Sequence, residues 1–283
     1  MSRRVVIVSR GDPAVPELLR ALHERGIRPH ALVLYIASPL AEWRALPWAR
    51  RIAAFPLLPA RWLRRRVRLR PDRETRQRAG QVVVTGPLNG PAMLRDLRRR
   101  RPDVLFLAGC GLVSPQLLSI PREGTVNAHP ALLPWMRGNG AVEHGILRGV
   151  PLGCTAFWVD PGIDTGRMIA RRMMPVAGGE TMAALNRGVR ALWVEMMAEL
   201  IAAATAGPLP EGTPQRARYP LCRRVTEAER AAVDDAVTRG VPRALFERWR
   251  PFCAPGTLEL PPAADTRVPL DPALAPADAG GAR

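Results

Sequence analysis

The chain has 283 residues, is 47% hydrophobic and carries a formal net charge of +17. That length suits one large domain, or one domain with an appendage, and allows a sizeable core. No apolar run approaches the roughly 20 residues that span a bilayer, and four cysteines without a Cys-x-x-Cys pair argue against a metal cluster or a disulfide framework.

The charge points to nucleic acid only if it is localised. All 42 basic residues are arginine, with no lysine, in a chain also rich in Ala, Gly and Pro. This bias inflates arginine everywhere, and no folded nucleic-acid motif accompanies it. Residues 1–4 run directly into Val5-Val6-Ile7-Val8, too short an apolar run for a signal peptide. A cytoplasmic location is the expectation.

Residues 5–9 form a short apolar run ending in Ser-Arg-Gly-Asp, followed by Pro13 and an amphipathic stretch to Arg25. Residues 31–36 are a second apolar run. Strand, helix, strand opens a parallel sheet. Residues 43–78 hold twelve arginines with Trp43, Trp48 and Trp62, broken by Pro47, Pro56 and Pro59. This segment reads either as an anion- or membrane-surface patch or as a solvated helical insertion, and the prolines interrupt any long amphipathic helix. Residues 81–85 and 103–107 are further strands, with a helix over 91–100 between them. Residues 125–128 form a central strand.

Downstream, 140–148 reads as a helix, 153–159 and 167–175 as strands, and 181–204 as a long helix with Thr181 as its cap and Pro208 beyond its end. The expected fold is α/β: a Rossmann-like open, mostly parallel sheet with an irregular C-terminal extension. The expected organisation is a catalytic domain over 1–206, the extension over 207–266 and a disordered tail over 267–283, which is rich in Ala, Pro and Asp.

Two segments carry chemistry. Asn127-Ala128-His129-Pro130-Ala131-Leu132-Leu133-Pro134 puts an amide and an imidazole two residues apart at the end of the central strand. Strand side chains alternate faces, so the two project to one side. Asp160-Pro161-Gly162-Ile163-Asp164-Thr165-Gly166 supplies a carboxylate in a turn. Ligands of open α/β sheets gather at the carboxyl ends of strands. From spacing alone, a structural histidine in a proline-shaped loop competes with an acyl-transfer site.

The order and separation of these segments, 35 residues from His129 to Asp164, resemble the paired signatures of the 10-formyltetrahydrofolate-dependent formyltransferases. That group contains the glycinamide ribonucleotide, methionyl-tRNA and sugar N-formyltransferases. The resemblance covers about residues 5–204 and is strongest over 105–175. It implies an enzyme with Asn127, His129 and Asp164 as catalytic residues and 10-formyltetrahydrofolate as co-substrate, without a metal. Residues 108–113, Ala-Gly-Cys-Gly-Leu-Val, are similar to the family loop that grips the pterin, implying Cys110, Gly111, Leu112 and Val113 as folate contacts. A Gly-rich strand-to-helix turn is the competing reading of that stretch. Asp160, Pro161, Gly162 and Ile163 would form the opposite wall. Arg137 and Gly138 match an Arg-Gly that shapes the acceptor mouth. His144 reads as a helix-packing residue.

Departures from the family bear on the acceptor. The glycinamide ribonucleotide enzymes carry a Gly-Asn-Gly-Ser type loop after the first strand, where this chain has Ser9-Arg10-Gly11-Asp12-Pro13. Residues 207–283 lack the evenly spaced strand pattern of the C-terminal barrel found in the tRNA enzymes. The leading expectation is N-formylation of a primary amine on a small metabolite or nucleotide-linked amino sugar. Methionyl-tRNA formylation is the alternative within the same chemistry, and a non-catalytic folate- or partner-binding module the alternative from another class. A small-molecule amine is the expected partner, with no membrane; nucleic acid is not the expectation, with tRNA left open as the alternative.

Overall fold

The computed structural model describes residues 3–36, 63, 69, 71–215 and 219–250. Most of the arginine- and tryptophan-rich segment and the whole 267–283 tail lie outside these residues. The strands form a seven-stranded, mostly parallel sheet in the order β3-β2-β1-β4-β5-β7-β8, so the expected α/β class is the observed one. Contacts divide the chain into two compact units, Met1–Val126 with Ala198–Pro208, and Asn127–Met197 with Leu209–Arg283.

In the first unit, β1 (Val5–Ser9), β2 (Ala31–Tyr35) and β4 (Val104–Ala108) are buried at every position. Continuous Val, Leu, Ile and Phe runs suit strands covered on both faces, as parallel sheets require. β1 pairs in parallel with β2 and β4, and β2 with the half-buried β3 (Val82–Thr85). Helix α1 (Val15–Glu24) buries Val15, Leu18, Leu19 and Leu22, a stripe at helical spacing. α2 (Arg73–Arg78), capped by Asp72, falls at the end of the segment read as a possible solvated helical insertion, and α4 (Pro115–Leu118), capped by Ser114, lies outside the expected elements. Between them α3 (Pro91–Arg100) has the expected bounds.

β5 (Gly124–His129) begins in the first unit and carries Asn127 and His129 into the second. There β7 (Gly153–Trp158) pairs antiparallel with β8 (Met168–Met173), with the Asp164 turn between them. A two-residue strand β6 (Arg137–Gly138) precedes α5 (Ala141–Leu147) and pairs in parallel with β9 (Leu221–Cys222). The long helix α6 (Met182–Ala206) follows β8, and its Trp193 Nε1 donates to the Ala128 carbonyl at 2.8 Å, anchoring the end of β5.

The C-terminal extension is more regular than its composition implies. α7 (Glu227–Thr238) opens with a complete Thr226/Glu229 capping box, and α8 (Val241–Trp249) buries Pro242, Leu245, Phe246 and Trp249. Trp249 is 1% exposed and meets Trp135 edge-on, ring centroids 4.9 Å apart. No helix among the described residues is long and apolar enough to cross a membrane.

Trp135 lies one residue beyond Pro134 of the signature, so this contact ties the extension to the loop after β5. Trp249→Ala is expected to cost about 3–5 kcal/mol, the range for emptying a buried aromatic site. Urea unfolding measures it, and a loss under about 1 kcal/mol would mean that α8 packs only loosely.

Candidate functional site

The Asn127–His129 strand end is fixed from several sides. Beyond β5, the Leu133 N–H donates to Thr155 Oγ1 at 3.0 Å, and that hydroxyl donates to the Ala131 carbonyl at 2.8 Å, both buried. Arg171 on β8 donates to the Leu133 carbonyl at 2.9 Å and lies over the Trp135 ring, 4.5 Å from its centroid. The Leu-Leu-Pro-Trp run that follows His129 is thus tied to β7 and β8.

The structure brings His129 and Asp164 together. Nδ1 of the imidazole stands 3.7 Å from Asp164 Oδ2, with the side chains 8% and 14% exposed. Among the described residues, nothing hydrogen-bonds the buried Nε2. Burial lowers the imidazole's pKa below its ordinary value, against the opposing pull of the Asp164 carboxylate and the Met136 backbone. Desolvation of a cationic ring outweighs the nearby anion here, so the resting imidazole is neutral near pH 7. Asn127 is half-buried, two residues earlier on the same strand and so on the same face, and no described residue hydrogen-bonds its amide.

Asp164 is held in an unusual state. Its φ is +52°, in the left-handed region that costs most side chains energy but that Asp tolerates better than most. The Gly138 N–H donates to Asp164 Oδ2 at 2.9 Å. Arg137 is 8% exposed: its Nε and Nη2 donate to the Ile163 carbonyl at 3.0 and 2.7 Å, and its Nη1 to the Tyr219 carbonyl at 2.9 Å. Gln215 Nε2 donates to the Asp164 and Gly166 carbonyls at 3.0 and 2.8 Å. Gly138 has φ +89°, and a Cβ there would fall 2.6 Å from the Cys222 carbonyl oxygen, so the Asp164-binding amide requires glycine.

Asp160 organises the start of the turn by accepting from the Gly162 N–H at 3.0 Å and the Thr165 hydroxyl at 2.6 Å. Pro161 and Gly162 are exposed and Ile163 half-buried. His144 is buried, with Nε2 2.9 Å from the Arg223 carbonyl, and serves packing.

Residues 110–113 belong to the other compact unit. Cys110 Sγ donates to the Val8 carbonyl at 3.2 Å, and the Gly111 N–H donates to the Tyr35 hydroxyl at 3.2 Å. Asn89, left-handed at φ +64°, donates from Nδ2 to the Leu112 carbonyl at 2.9 Å and accepts from the Ser114 N–H at 2.8 Å. Leu112 is 68% exposed, Gly111 is exposed and Val113 half-buried. Burial pushes the Cys110 thiol up to about 12, so it stays protonated and is no nucleophile near neutrality. The loop after β1 is closed on itself: Ser9 Oγ accepts from the Gly11 and Asp12 N–H groups, each at 3.1 Å.

Sequence reasoning did not single out Gln215, Tyr219, Asn89 or Tyr35 as site supports. Asn89-Gly90 is a turn signal and could have drawn attention to Asn89. Gln215 sits in a Pro- and Gly-rich stretch with no periodicity to mark it.

Comparison with known proteins now adds the family. The formyl transferase family profile matches residues 3–201. A methionyl-tRNA formyltransferase from Ralstonia pickettii (strain 12J) is 36% identical over 142 residues, half of this chain and 42% of that protein. The chain therefore spans less than half the length of that relative. A glycinamide ribonucleotide transformylase 1 from Geobacillus kaustophilus is similar in structure with a TM-score of 0.50 and 26% identity, covering 72% of this chain and all of that one. A sugar N-formyltransferase from Shewanella sp FDAARGOS_354 shares the fold with a TM-score of 0.53 at 13% identity, over 83% of this chain and 87% of its own. The profile match spans well over half of the chain, and the chain belongs to the formyl transferase family.

Proposed function

We propose that this protein transfers the formyl group of 10-formyltetrahydrofolate to a primary amine on a small metabolite or nucleotide-linked amino sugar. The observation that carries this reading is the buried His129–Asp164 pair at 3.7 Å beside the strand-mate Asn127. In the reaction the acceptor nitrogen's lone pair forms the new C–N bond, and the carbonyl electrons move onto oxygen. Collapse of that oxyanion breaks the bond to the folate nitrogen, which takes up a proton while the acceptor nitrogen loses one.

Each residue has work suited to its surroundings. The Asn127 amide donates to the developing oxyanion without any charge change, a contribution of roughly 3–4 kcal/mol in acyl transfer. His129 offers Nε2: with a proton on Nδ1 it presents a lone pair, and with a second proton it becomes a donor. Asp164 offsets the imidazolium charge that such a transfer creates. We assign the folate ring to residues 110–113. The exposed Leu112 and the main chain pinned by Asn89 and Tyr35 suit a flat heterocycle.

For the acceptor, the Ser9-Arg10-Gly11-Asp12 loop argues against a phosphate cradle after β1. Two of its N–H groups are spent on Ser9 Oγ, and Asp12 adds a negative charge. The second reading, methionyl-tRNA as acceptor, is favoured by the 36% identity to the Ralstonia enzyme. Against it, several arginines of this +17 chain serve backbone carbonyls, Arg137 and Arg171 among them.

His129→Ala is expected to lower turnover by roughly 10²–10⁴ with little change in folate binding, and Asn127→Ala by roughly 10²–10³. Steady-state kinetics with a formyl-folate donor checks both. A His129→Ala enzyme that keeps most of its turnover would remove the imidazole from the mechanism.

The buried imidazole also fixes a pH dependence of stability. Its folded pKa lies below the unfolded value of about 6.5, so between the two the unfolded chain holds the extra proton. This contribution is fully present above about pH 6.5 and declines as pH falls through that window, by up to about 1.4 kcal/mol per unit. His129→Gln is expected to flatten that part of the curve. Urea melts at about pH 5.5 and 7.5 compare the two proteins, and an identical slope would mean that the ring is not buried neutral.

The acceptor readings separate by salt. A tRNA substrate requires several phosphate contacts, so its affinity would fall steeply with salt. The expected outcome is weak RNA binding lost by physiological salt and no formylation of aminoacylated initiator tRNA above background. Efficient tRNA formylation at physiological salt would reassign the acceptor and leave the proposed chemistry in place.

A further inference from the structure

We infer that Gln215 and Arg137 are positioning residues that clasp the Asp164 turn from both ends and aim its carboxylate at His129. The inference rests on the formyl-transfer reading for its effect on turnover, but its structural part stands on the hydrogen bonds alone.

Three groups converge on residues 163–166. Arg137 takes the Ile163 carbonyl with two nitrogens, immediately before Asp164. Gln215 takes the Asp164 and Gly166 carbonyls with one amide nitrogen, on the other side of the bend. The Gly138 amide, next to Arg137 in the chain, takes the carboxylate itself. Main chain and side chain of Asp164 are thus held by a dipeptide on β6 and by a glutamine 51 residues downstream of Asp164.

Such fixing is needed. A residue at φ +52° does not hold itself there, because the conformation is sparsely populated for non-glycine residues. Gly166 follows two residues later. A side chain there would collide with the Trp158 carbonyl, so the exit of the turn is closed against the end of β7. With entry, bend and exit tied down, the carboxylate has one orientation, the one 3.7 Å from Nδ1.

The clasp also explains why an arginine occupies position 137. Its planar guanidinium reaches the Ile163 and Tyr219 carbonyls at once, at 2.7–3.0 Å. Tyr219 lies two residues before β9, which pairs with β6 at Arg137 and Gly138. The same side chain therefore ties the catalytic turn to the C-terminal segment. A lysine, a single point donor on a flexible stem, cannot span both carbonyls. Arg137 acts here on the catalytic turn, and no acceptor contact is required of it.

The test uses the full chain and two variants. Gln215→Met keeps length and shape but removes the donor, and Arg137→Lys keeps charge but loses the fork. Amide hydrogen exchange in the free protein should rise severalfold over residues 160–168 in both, with β2 and β4 protected as in the parent. Turnover with a formyl-folate donor should fall about tenfold, the scale of one lost hydrogen bond, while KM for the folate changes less than about twofold. Unchanged exchange over 160–168 in both variants would overturn the clasp, and so would a loss confined to KM. A parent protein that transfers no formyl group would sink the functional reading, and the exchange data would still decide the clasp.

Discussion

A carboxylate and an imidazole that share a site nearly out of water constrain this half of the molecule. Taking either group from solvent is costly unless its polar atoms find partners. Asp164 finds the Gly138 amide at 2.9 Å, and His129 finds Asp164 at 3.7 Å. Much of the surrounding architecture follows from keeping those partners in place. β6 presents one guanidinium and one amide to the Asp164 turn. β9 pairs with it, and a Cβ at Gly138 would fall 2.6 Å from the Cys222 carbonyl oxygen, so no side chain fits.

Arginine donates to backbone carbonyls at several points of this fold. Arg3 reaches the Ala204 carbonyl, Arg28 the Ala79 carbonyl, Arg137 those of Ile163 and Tyr219, Arg167 those of Glu211 and Gly212, and Arg171 that of Leu133. Each satisfies a loop or segment-end carbonyl that no sheet or helix partner takes up. The guanidinium is suited to this because its donors are planar, several and less strongly hydrated than an ammonium. Several of the chain's arginines are structural donors.

The parallel strands were legible because Val5–Ser9, Ala31–Tyr35 and Val104–Ala108 are continuous apolar runs, and their observed bounds differ from the expected ones by a residue or less at each end. The Asn127, His129 and Asp164 constellation was legible from motif order, and the structure sets the latter two side by side. Other features left no local signal. Two-residue strands have no period to detect, so β6 and β9 emerge only from their pairing. α7 buries only Val233 and Ala236, too few apolar positions to print a helical stripe. Gln215 and Asn89 act through amides that reach main chain far along the sequence, and such pairings are invisible before the chain folds.

The chain's two polar loops differ in where their main-chain groups point. After β4, Asn89 and Tyr35 hold the main chain of Gly111, Leu112 and Ser114 from outside, leaving Leu112 68% exposed. That is an apolar edge on a pinned backbone, suited to a flat ring. After β1, the Gly11 and Asp12 amides are turned inward onto the buried Ser9 hydroxyl. A phosphate entering there would have to displace those hydrogen bonds, each worth about 0.5–1.5 kcal/mol, and approach the Asp12 carboxylate. Asp12 also lies against Gly109, at the foot of the other loop, where a Cβ would collide with it. Moving Asp12 aside to admit an anion would therefore disturb the packing against Gly109 at the start of the segment after β4. With its amides turned onto Ser9 and its carboxylate packed against Gly109, the loop after β1 is better suited to buttressing its neighbour than to binding phosphate.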